Sequence, residues 1–129
     1  MTTKLTRLLF LPLLLLASLP GFSQQGRGTI LGTVTDGSGA AIAGAKIRVF
    51  NTATNTGIET TSTTDGLYQA PNLAVGDYTV TVEKTGFRKV VRSGLQLQVD
   101  QRAQVDIQLE VGQVTESIEV KSEDRKSVV

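Results

Sequence analysis

The 129-residue chain contains no cysteine, no histidine and no tryptophan. Without Cys or His it has no thiolate nucleophile, no imidazole base and no nitrogen or sulfur ligand for zinc or copper. A disulfide framework is excluded as well. Neither sign of charge dominates: 13 basic residues face 12 acidic ones, a formal net charge of +1. So even a balance gives no electrostatic case for a nucleic-acid partner. A serine or threonine nucleophile would depend on Lys, Asp or Glu as its base, and neither a Ser-x-x-Lys motif nor a Gly-x-Ser-x-Gly elbow occurs. A paired-carboxylate glycosidase needs a larger cleft than so small a chain provides. The expectation is a non-catalytic protein with no cofactor and no metal.

One long apolar run is present, at the start. Lys4 and Arg7 precede the nearly unbroken apolar stretch Leu8 to Leu19, and the small residues Gly21 and Ser23 follow. That order of charge, apolar run and small residues reads as a secretory signal peptide over residues 1–23. The run has about 12 residues, against about 20 for a membrane-spanning helix. No cysteine stands at the cut, so a lipid anchor there is excluded. Lys4 and Arg7 leave with the signal, so 11 basic residues face 12 acidic ones in the remainder, a net charge of −1. The remainder has no apolar stretch long enough for a transmembrane helix and is long enough for one small domain.

Downstream the apolar residues alternate with polar ones, the period of a half-buried strand. Ile30, Gly32 and Val34 share a face, as do Ala45, Ile47 and Val49, then Tyr78, Val80 and Val82, then Val105, Ile107, Leu109 and Val111. Turn signals separate the runs: Asp36-Gly37-Ser38-Gly39, Asn55-Thr56-Gly57, Asp65-Gly66, Asn72, Gly76-Asp77, Gly86 and Ser93-Gly94. About seven short strands joined by tight turns predict an all-β sandwich without a helix.

The order and spacing of Gly32-Thr-Val-Thr-Asp36, Gly39, Ile42-Ala-Gly44-Ala45-Lys-Ile-Arg-Val49, Thr56-Gly57, Thr64-Asp65-Gly66-Leu-Tyr68, Leu73, Gly76-Asp-Tyr78-Thr-Val80 and Gly86-Phe87 resemble the carboxypeptidase regulatory-like domain. Ala41 departs from the proline usual in the family, at some cost in turn rigidity. The resemblance covers residues 28 to about 110. It implies a seven-stranded antiparallel Greek-key β-sandwich of the transthyretin type, grouped with carbohydrate-binding-like folds. In carboxypeptidases this domain is an accessory to a separate catalytic domain.

Residues 105–113 and Glu116-Ser-Ile-Glu-Val120 also resemble the exit from this domain in outer-membrane TonB-dependent receptors. There a signal peptide, one such sandwich and an extended link precede a plug and a β-barrel. The resemblance implies a linker at 24–27, a sandwich at 28–111 and an extended link at 112–123 toward a plug domain. The partners it implies are the plug and barrel of the same receptor or a periplasmic protein, on the periplasmic face of the outer membrane. Asp124 to Val129 can be translated from a common sequencing adaptor whose next triplet is a stop, so 124–129 is expected to be a non-native tail.

Several residues are candidates for contacts. Asp36, Asp65 and Asp77 lack the alternating acidic pattern of a calcium loop and read as turn stabilisers. Tyr68 and Tyr78 are in phase with the core. Phe50 and Phe87 are out of phase, which makes them the candidate carbohydrate contacts. Lys84, Arg88, Lys89 and Arg92 read as a solvated basic face of an edge hairpin. Val114, Ile118 and Val120 mark an extended segment expected to pair with the sheet edge of a partner. A free-standing secreted carbohydrate-binding module is the alternative to the receptor module, and a periplasmic scaffold or adhesin fragment is a third.

Overall fold

The computed structural model describes residues 26–113 and 117–121. The expected signal peptide, Val114 and the tail at 124–129 lie outside the described residues. Nine strands appear among them: β1 (Arg27–Thr35), β2 (Lys46–Asn51), β3 (Gly57–Thr61), β4 (Leu67–Ala74), β5 (Gly76–Glu83), β6 (Lys89–Leu97), β7 (Arg102–Gln104), β8 (Ile107–Gln108) and β9 (Ser117–Lys121). They form two sheets. One has the order β4-β1-β7, with β8 also on β1, and the other has the order β3-β2-β5-β6-β9.

The alternation seen in the sequence becomes the core between the sheets. Ile30, Val34, Ile47, Val49, Val80 and Val82 are fully buried, and Tyr68, Tyr78, Val105, Ile107 and Leu109 lie among them. Burying each such aliphatic side chain contributes about 1.5–3 kcal/mol. Only Val111 leaves the pattern: β8 ends at Gln108, and Val111 bridges to Phe87 with its side chain 79% exposed.

Two of the predicted turns are β-bulges inside strands. On β4 the inward residues are Tyr68 and Ala70, then Leu73; on β6 they are Val90 and Arg92, then Leu97. Each change from even to odd numbers marks one extra residue. Gly28 pairs with Leu73 and Ile30 with Ala70, while Tyr78 pairs with Leu95 and Val80 with Arg92. Asn72 and Gly94 stand at these bulges with φ of 57° and 72°. A bulge and a turn both require a residue that tolerates left-handed backbone, so composition does not separate them.

Pairing is antiparallel except at the returning strands. β7 and β8 run parallel to β1, and β9 runs parallel to β6, which departs from the all-antiparallel expectation. Alternation fixes which face a residue takes, not the direction in which a long connection brings the strand back.

Candidate functional site

At the seam where β7 and β8 meet β1 and β6, the buried Tyr68, Val105 and Arg92 adjoin the exposed side chains of Gln104 and Asp106. A Cβ on Gly32 would collide with the carbonyl oxygen of Val105, so glycine is what lets that carbonyl approach β1. The Tyr68 hydroxyl donates to the same carbonyl. Burial pushes the Tyr68 phenol well above its ordinary value, and the nearby Asp106 carboxylate pushes it further. It therefore stays a neutral donor. Asp106 Oδ1 accepts the Thr33 N–H at 3.0 Å and its hydroxyl at 3.1 Å, and Oδ2 accepts from Gln104 Nε2 at 3.0 Å. From β6, the 8%-exposed Arg92 donates Nη1–H to the Asp106 main-chain carbonyl at 2.9 Å. These bonds replace the ladder that two such short strands fail to supply. The donors and acceptors named here are engaged with each other, and the seam works as a clasp.

Arg92 corrects the reading of a basic solvated face. It shares the inward side of β6 with Val90. Arg88 stands 3.5 Å from Glu110 and Lys89 3.5 Å from Glu83. From the sequence Arg92 was assigned to the solvated face and Asp106 was missed. The signal for Arg92 was its even-numbered phase with Val90 just before the bulge. For Asp106, flanked by the buried Val105 and Ile107, no local signal exists.

Phe50 lies at the end of β2, half-buried, across from Gly57 and Thr79. Its Cδ2 would be 2.7 Å from a Cβ on Gly57, so the ring lies over that glycine. Phe87, in the β5–β6 turn, packs against the core instead. Phe50 stands beside the middle of β5 and Phe87 in the turn beyond its end, and the two are not brought together into a common stacking platform. Asp36 accepts from Ser38 N–H at 2.8 Å, Ser38 Oγ at 2.6 Å and Ala40 N–H at 3.0 Å. The Ser38 hydroxyl, then these amides, hold its carboxyl below the usual range. Among the described residues no three carboxylates converge on a point.

Ile118 and Val120 lie on β9 opposite Val90 and Arg92, both half-buried. The segment is extended, and the edge it occupies belongs to its own chain, not to a partner as expected. Tethering explains that choice, because a covalent link supplies a far higher effective concentration than a free partner.

Residues 29–110 match the family model described as the carboxypeptidase regulatory-like domain. The TonB-dependent transporter Oar of Myxococcus xanthus is 36% identical over 101 residues, 77% of this chain and 9% of that protein. Among solved structures, the Bacillus anthracis TIE protein superposes with a TM-score of 0.58 at 19% identity, over 67% of this chain and 17% of that one. Hydroxyquinol 1,2-dioxygenase from Pseudomonas putida DLL-E4 gives 0.56 at 13% identity, over 70% and 58%. At such identity the likeness to both structures is one of sandwich fold alone.

Proposed function

We propose, from the premise that this chain belongs to the carboxypeptidase regulatory-like domain family, that it is the non-catalytic accessory module of an exported TonB-dependent receptor. The observation that carries this reading is the 36% identity to a TonB-dependent transporter over 101 residues. The apolar leader at 1–23 supports export. In this reading the sandwich stands at the periplasmic face of the outer membrane, ahead of a plug and barrel, and β9 gives the outgoing chain a defined direction. No helix among the described residues is long and apolar enough to cross a membrane.

The carbohydrate-binding alternative draws little from the geometry, since Phe50 lies beside the middle of β5 while Phe87, beyond its end, packs against the core. The genomic reading frame tests the proposal. It is expected to continue beyond codon 123 into plug and barrel sequence, and the expressed full-length product is expected in outer-membrane fractions. A genuine stop codon near residue 129, with soluble secretion of the product, would refute the receptor reading.

A further inference from the structure

The edges of the two sheets are not equally protected. β9 covers β6. On β4, Pro71 lacks an N–H and Asn72 makes a bulge. β7 and β8 are only three and two residues long. β3 is different: Gly57–Thr61 runs without a break, with no proline, no basic residue and no register shift. A bare continuous edge is the form that natural sheets otherwise avoid.

The phase of the ladder shows which groups the edge offers. Asn51 N–H donates to the Thr56 carbonyl at 2.7 Å, and Ser62 N–H to that of Ala45 at 2.9 Å. Alternation then turns the main-chain groups of Ile58 and Thr60 toward β2 and those of Gly57, Glu59 and Thr61 toward the open side. Ile58 is 37% exposed on this edge. Beside it lies a depression of about 450 Å³, with Leu31, Thr60, Thr61, Thr63 and the half-exposed Leu67 in its wall. On the outer face, Glu59 ends the cross-strand row Thr81, Arg48, Glu59. Its Oε1 accepts from Arg48 at 2.9 and 2.7 Å, while Oε2 faces the more distant Lys46 at 3.7 Å.

We propose that the β3 edge and this depression form a strand-acceptor site for an extended segment of a partner protein. Main-chain hydrogen bonds to Gly57, Glu59 and Thr61 hold the segment, and alternate side chains give selectivity. Uncharged apolar residues lie beside Ile58, Thr60 and the depression, and a lysine or arginine stands opposite Glu59. Pairing β3 with β3 of a second copy, in the register centred on Glu59, sets carboxylate against carboxylate, which disfavours self-association. The inference is independent of the receptor reading.

The test titrates the ¹⁵N-labelled chain with the blocked peptide Thr-Val-Lys-Val-Thr to millimolar concentration. Amide shifts are expected at Gly57–Thr61 and around Thr63 and Leu67. The same peptide with Glu at its centre is expected to bind about five- to tenfold more weakly, and Glu59→Lys is expected to reverse that preference. Thr61→Pro removes an N–H directed away from β2, so it is expected to abolish binding while the remaining amide spectrum stays native. Overturning results are no saturable shift, shifts centred on β6 and β9, affinities indifferent to peptide charge and to Glu59→Lys, or dimerisation that Thr61→Pro abolishes.

Discussion

The outer flanks of β3 and β6 in the five-stranded sheet are treated in opposite ways. At β6 the inward residues Val90 and Arg92 are buried, and β9 lays Ile118 and Val120 beside them. At β3 the inward residues Ile58 and Thr60 are partly exposed, and no strand among the described residues lies outside them. Each edge presents main-chain groups to whatever lies outside it. What differs is the side-chain surface and the tether, so one edge belongs to the module's own architecture and the other is available. Substitution at the strand both edges depend on gives the largest effect. Ile47 pairs with Thr60 on one side and Val82 on the other, and Ile47→Ala is expected to cost about 2–5 kcal/mol. Urea unfolding, with hydrogen exchange showing β3 and β6 amides loosening together, checks it. Loss of protection at β3 alone would show that the two edges are separate folding units.

Tyr68→Phe probes a third edge, where β7 and β8 are held by side chains. It strands the buried Val105 carbonyl and is expected to cost about 1–3 kcal/mol. The wild-type contribution also depends on pH. Because the folded-state phenol titrates higher than an unfolded one, its share of stability is complete below about pH 10 and lost as pH rises beyond it. Stability curves of wild type and Tyr68→Phe are therefore expected to converge in strong alkali. Ile118→Ala comes next, at about 1 kcal/mol for a half-buried side chain. Its diagnostic reading is local: exchange is expected to quicken at Lys89 to Ser93 and to stay unchanged at Gly57 to Thr61.

The sandwich was legible because period-two alternation is a direct record of which face meets the core, and Ile30, Ile47 and Val80 all obey it. The bulges were written there too, in the jumps from Ala70 to Leu73 and from Arg92 to Leu95, although Asn72 and Gly94 look like turns when read singly. Strand direction was not legible, since β7, β8 and β9 carry the same alternation whether parallel or antiparallel. Nor was the seam: Gly32, Tyr68, Val105 and Asp106 meet only after the chain has crossed between sheets, and no spacing connects positions more than 30 apart. The bareness of β3 is equally a relation, visible only once β9 is seen to spend itself on β6.

The smallest expected effect bears most directly on that bare edge. Glu59 is exposed, and the Arg48 hydrogen bonds, then the charge of Lys46, hold its carboxyl below the usual range. A depressed folded-state value stabilises the protein above the unfolded carboxylate range and loses that share as the pH falls through the folded value. For a solvated pair the share is slight. Glu59→Gln is accordingly expected to leave the urea midpoint at neutral pH nearly unchanged, and to remove a shallow acid-side decline present in the wild type. Were this carboxylate kept to stabilise the sheet, the midpoint would drop clearly at neutral pH. With stability unmoved, the variant should still lose the preference of the β3 edge for a basic strand, which separates a residue that builds the sandwich from one that presents its open side.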